Sequence, residues 1–225
     1  MTLFIIRVFM FTILPVLAAA LVVRFDAHAD TRKKKLEIYL LYLFGLGVAG
    51  SGISGWFGHL FLSDIVAEGI GWEPGSPFQL EMGFANLALG VLGLIATARR
   101  DGFREATVVA VTVIGVGATI VHLIDIAETG NLAPGNTIQN IANLARPALL
   151  IFFLRASRKA EDAEPMDGRW YVTHGQAVGW LTSLATTGFG VGFAFGAPAA
   201  GVTLGILAGA IFVWISLQRL RAMPS

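Results

Sequence analysis

Two histidines, a few carboxylates and one arginine are the residues of this chain whose types and spacing point to chemistry. His59, Asp64 and Glu81 fall within GHLFLSDIVAEGIGWEPGSPFQLE, residues 58–81, between two long apolar segments. His122 and Asp125 stand in a similar setting about sixty positions on, and Arg146 follows in TIQNIANLARPALLIFFLR. Imidazoles are borderline ligands and carboxylates hard ones, so His59 and His122 with these acids make a donor set for Zn, Mn or Fe. The same two histidines at matching depth also have the option of holding a haem axially. Neither pattern is diagnostic, because the chain has no HExxH and no ExxH pair. It has no cysteine either, which removes disulfides, thiolate ligands and thiol nucleophiles.

Arg146 lies about nine residues into its apolar segment, which at 1.5 Å per residue is roughly 13 Å down. A cation at that depth costs at least ~2.5–3.5 kcal/mol, so it is expected to face the protein interior and to be paired. Gln139, Asn143 and Arg146 share one helical face by their spacing, as do His122 and Asp125. The expectation is that Arg146, Glu81, Asp64, Asp125, Asn86, Asn143, His59 and His122 converge on one polar pocket. The plain alternative is an inert ion pair with a few interhelical hydrogen bonds.

The elements that must position these residues follow from composition. Of 225 residues 55% are hydrophobic and 14% charged, with mean hydropathy +0.70, a balance for a membrane protein rather than a soluble domain. Apolar runs near 3–23, 38–66, 78–98, 106–128, 138–154, 173–195 and 200–218 predict an all-α bundle of about seven spans. The first run continues through Val23 into a basic stop, so it is read as a span and not as a cleaved leader. Fourteen of the sixteen Lys and Arg residues sit on alternate loops, which by the positive-inside rule puts the N-terminus outside and the acidic stretch on the outer face. All four lysines (33, 34, 35 and 159) lie in basic loops, which excludes a retinal Schiff base. The formal charge of +1 suggests no nucleic-acid partner.

The acidic stretch has an echo. His59, Asp64, Glu68, Gly69, Pro74, Gly75, Gln79 and Asn86 recur in order as His122, Asp125, Glu128, Gly130, Pro134, Gly135, Gln139 and Asn143. This predicts a pseudo-symmetric core of two helical hairpins formed by the second to fifth spans. One integral membrane domain then divides into a first span and basic loop (1–36), hairpins 37–98 and 104–155, a cytoplasmic linker (156–171) and a Gly-rich C-terminal hairpin (172–225). Ser76 with Gln79 and Asn136 with Gln139 have capping-box spacing. Gly69 and Gly130 are expected to end helices. Gly47, Ser51 and Gly55 line up for close packing, and the Gly-rich last spans suit a scaffold or an association surface for a membrane partner or a second copy.

At GISGWFGHLF, IGWEPGSPFQLEMGFANLALGVLG and NLAPGN the chain resembles an uncharacterised family of bacterial and archaeal polytopic membrane proteins, known only as a domain of unknown function. The likeness covers roughly residues 45–155. It implies a multi-pass protein of a bacterial or archaeal inner membrane and assigns no residue a role. Three functions fit: an outward-facing intramembrane site for a metal ion or small polar ligand, with membrane-embedded enzyme activity as one form of it; a non-catalytic subunit of a larger membrane complex; or a small transporter.

Overall fold

The computed structural model describes residues 2–27, 29–160 and 168–222, and every regular element among them is a helix. The helices are α1 (Phe4–Phe25), α2 (Arg32–Phe61), the short α3 (Ser63–Ile70), α4 (Phe78–Ala98), α5 (Gly102–Thr129), α6 (Pro134–Lys159), α7 (Gly168–Ala194) and α8 (Pro198–Ala222). Six of them, all but α3 and α7, are long and apolar enough to cross a membrane. The remaining expected span, 173–195, falls in the 27-residue α7. Most of the expected linker, 161–167, and the side chains of Trp170, Tyr171 and Gln176 lie outside the described residues.

Local chemistry sets the boundaries. Thr31 accepts from the Lys34 amide at 3.2 Å and so caps α2, and Asp101 accepts from the Phe103 amide at 3.0 Å and caps α5. Gly130 (φ 72°) ends α5, as its position in the sequence suggests. The short α3 ends on Gly71 (φ 84°) and not on Gly69. The long second span is interrupted at Leu62 (φ −132°, ψ 33°), so α3 is a separate helix. Two stretches are wound as π-helix, Phe9–Ile13 in α1 and Leu43–Gly50 in α2.

The hydrophobic core lies toward the end of the bundle that carries the basic loops. Leu40, Leu43, Phe44, Ala96, Val108 and Leu150 meet there from α2, α4, α5 and α6. Inside this half is a charged pair. Arg104 is 1% and Glu37 4% exposed, with Nη1 to Oε2 at 2.6 Å. Ser157 donates to the other Glu37 oxygen at 2.5 Å, and Arg104 Nε donates to the Ala96 carbonyl at 3.0 Å. These bonds tie α2, α4, α5 and α6 together and offset the desolvation of both charges.

Small residues bring the helices close. A Cβ on Gly52 would lie 2.5 Å from the Gly90 amide nitrogen, and one on Gly93 2.7 Å from that of Ala49, so α2 and α4 touch backbone to backbone. Gly55 makes room for the Asn86 side chain, whose Oδ1 would sit 2.6 Å from an added Cβ. The glycines of α7 and α8 face each other: a Cβ on Gly192 would meet the Ala197 carbonyl oxygen at 2.5 Å, and Trp180 stacks on Phe212 at 4.7 Å.

Candidate functional site

The other half of the bundle is open. A cavity of about 330 Å³ runs in from the acidic end between α1, α2, α4, α5 and α6, and a smaller recess of about 80 Å³ continues it to Arg146. Arg7, Asn86, Gln139 and Asn143 line both parts. Arg7 and Arg146 are the two of the sixteen basic residues that lie outside the basic loops. No carboxylate lines either part among the described residues.

Each cation is placed by its own helix. Pro15 has no N–H to offer the carbonyl four residues before it, that of Phe11, where the π turn of α1 also loosens the ladder. Arg146 Nε donates to that carbonyl at 3.3 Å. Pro147 likewise leaves the Asn143 carbonyl without its usual helical donor, and a Cβ on Gly115 of α5 would strike that oxygen. Arg7 lies beside Gly58 of α2, with Nη1 3.9 Å from where a Cβ would stand, and within electrostatic reach of both His59 and Arg146.

The two histidines line the wider part of the cavity, each with one ring nitrogen engaged. His59 Nδ1 meets Gln79 Oε1 at 2.5 Å, and His122 Nδ1 meets Asn136 Oδ1 at 2.7 Å. The Asn136 amide nitrogen already donates to Asp125 Oδ2 and to the Asn131 carbonyl, both at 2.8 Å, so its oxygen is the acceptor and His122 Nδ1 carries a proton. Nε2 is the remaining ring nitrogen of each histidine. Gln139 Oε1 is buried without a hydrogen-bond partner, an acceptor beside the guanidiniums.

The acids stand elsewhere. Asp64 and Glu81 are exposed. The break at Leu62 puts Asp64 in the first turn of α3, and Glu81 is in the first turn of α4. There the helix dipole favours a negative charge, and neither acid needs a buried cation. Asp125 is the hub of the cavity's roof. Its Oδ2 accepts from Trp72 Nε1 at 3.0 Å and from the side-chain amides of Asn131 and Asn136, both at 2.8 Å. Trp72 also stacks on His122 with ring centroids 5.4 Å apart.

The structure therefore brings together Arg146, Asn86, Asn143, His59 and His122, and leaves Glu81, Asp64 and Asp125 outside the lining. Among the described residues no three His, Asp or Glu side chains converge as metal ligands, and two guanidiniums would repel a divalent cation. The acids expected to join His59 and His122 in a metal set point to water or to the roof, so the two histidines line the cavity without them. Gln79 and Asn136 bond across the site instead of closing capping boxes. Arg7 and Trp72 also line the cavity, and neither was among the residues expected there. An arginine inside the first apolar run was the available signal for Arg7; Trp72, in a loop, offered none.

The profile of a family described as "Family of unknown function (DUF6790)" matches residues 6–163. The chain belongs to that family. No curated protein and no solved structure matches it significantly. The DUF6790 region takes in α1 to α6, the helices that enclose the cavity, and stops short of α7 and α8.

Proposed function

We propose that this DUF6790 protein is a multi-span protein of a bacterial or archaeal inner membrane, N-terminus outside, whose outward-facing cavity binds a small anionic ligand between Arg7 and Arg146. One observation carries the reading: the two cations withheld from the basic loops line one recess of the cavity, and among the described residues no acid lines it. Two half-buried positive charges with no carboxylate beside them among the described residues are costly, and an anion held by the planar fork of each guanidinium offsets that cost. Asn86, Asn143 and Gln139 supply neutral hydrogen bonds at the floor. His59 and His122 supply Nε2 at the mouth, where an imidazole can take or give a proton; a catalytic form of this reading rests on those two atoms. A transport function would need a second state that opens the tightly packed basic half.

The test is thermal unfolding of the full chain in phosphatidylcholine nanodiscs with added inorganic phosphate or acetate. A site-specific anion at a hundredfold excess over Kd adds about 2.7 kcal/mol of stability. The wild type should show a saturable rise in Tm, which Arg7→Gln and Arg146→Gln remove and Arg155→Gln, at the basic end, keeps. An equal rise in all four proteins would mean a nonspecific salt effect and would overturn the reading.

A further inference from the structure

The wall of the cavity between α4 and α5 bears no seal. Three residues, 99–101, join these helices at the basic end, and toward the other end both contribute cavity-lining residues across a gap: Phe78 and Met82 from α4, Val113, Gly117 and Val121 from α5. Several of these side chains are at once cavity wall and outer surface, with Phe78 51%, Val113 64% and Val121 51% exposed. Gly117 stands in the middle of the α5 side. A Cβ built on it meets nothing within 4 Å, so no helix contact requires a glycine there. Its smallness keeps the gap wide. Every liner of the gap is apolar, whereas the floor is cationic and amide-rich.

In a bilayer, an apolar slot open sideways faces acyl chains and not water. We infer that the ligand is an amphiphile, an anionic headgroup on an acyl chain, which enters from the outer leaflet between α4 and α5, sets its head against Arg7 and Arg146, and leaves its chain in the slot past Gly117. This rests on the anion-binding reading and adds the chain. A soluble anion would need only the mouth at the acidic end, and that mouth is roofed by the Asp125, Trp72, Asn131 and Asn136 network. The lateral slot has no such hydrogen-bonded cover. The chain explains what a free anion leaves unexplained, an apolar opening that runs from the lipid-facing surface to two arginines.

The experiment uses native mass spectrometry of the full chain released from phosphatidylcholine nanodiscs, with three probes: palmitoyl-glycerol phosphate, glycerol phosphate, and palmitoyl-glycerophosphocholine, which has the chain without a net charge. The expected result is one bound palmitoyl-glycerol phosphate per protein and no retained palmitoyl-glycerophosphocholine. Gly117→Leu, which fills the slot from an exposed helix face, should weaken the acylated phosphate by at least ~10-fold, the factor equal to 1.4 kcal/mol. The same variant should bind glycerol phosphate as the wild type does, which shows that its floor is intact, and Gly117→Ala should behave as wild type. Arg146→Gln should lose both phosphates. If Gly117→Leu binds the acylated probe unchanged, or if palmitoyl-glycerophosphocholine is retained equally, the lateral-entry inference is overturned while the anion site stands. If neither phosphate binds the wild type, both fall.

Discussion

At the scale of single residues, the site depends on proline and amide chemistry as much as on charge. Pro15 and Pro147 each deprive a carbonyl of its usual helical donor; one of those oxygens takes Arg146 and the other lies against Gly115. The histidines are fixed by Gln79 and Asn136, and the second of these is held in turn by Asp125. Asp125→Ala removes the acceptor shared by Trp72, Asn131 and Asn136, so it should lower Tm, red-shift the Trp72 emission and weaken phosphate binding through a disordered roof. The emission shift is isolated by comparison with a Trp72→Phe background. Unchanged emission and binding would show that the roof does not depend on Asp125. His122 and Arg146 could be singled out from the sequence because a polar residue in an apolar run is conspicuous. The partner of Arg146 could not, since the carbonyl of Phe11 lies 135 positions away and a backbone oxygen leaves no mark on residue type.

At the scale of elements, two halves of the same helices do different work. Toward the basic end α2, α4, α5 and α6 close on a dry core with Glu37 and Arg104 inside it; toward the acidic end the same helices part around the cavity. The buried pair is the hinge of this contrast. Removing one partner leaves the other charge unpaired in the core, so Glu37→Gln should cost about 3–5 kcal/mol, read as a lower Tm in nanodiscs. Glu37→Leu combined with Arg104→Met should recover much of that loss, because an apolar pair of similar volume avoids the desolvation penalty. A Glu37→Gln protein as stable as wild type would show that water already reaches Arg104. Hydropathy and loop charge gave the helix positions to within a few residues, as α4 at Phe78–Ala98 illustrates. The break at Leu62 was not legible, since FLSD carries neither proline nor glycine, and it places Asp64 at a helix N-terminus instead of inside the expected 38–66 span.

At the scale of the whole molecule, the distribution of sixteen basic residues is the most informative feature of the sequence, and half of its meaning was read at once. The fourteen in alternate loops point to an orientation. The remaining two were harder to join, because Arg7 and Arg146 are 139 positions apart in the sequence and only the packing of α1 against α6 brings them to one cavity. The sequence leads to an expectation that Glu81, Asp64 and Asp125 converge from other helices to neutralise Arg146. The fold instead turns Asp64 and Glu81 outward and uses Asp125 in the roof, which leaves a charge for a ligand to answer. The central claim is thus a cavity with two guanidiniums and no carboxylate, built to hold an anion. Its most direct measurement is an experimental density map of the full chain prepared in iodide, with the iodide located by anomalous scattering. The account predicts an iodide peak bounded by Arg7, Arg146 and Asn143. A map in which Asp64 or Glu81 folds in to meet Arg146, with no iodide between the arginines, would contradict it.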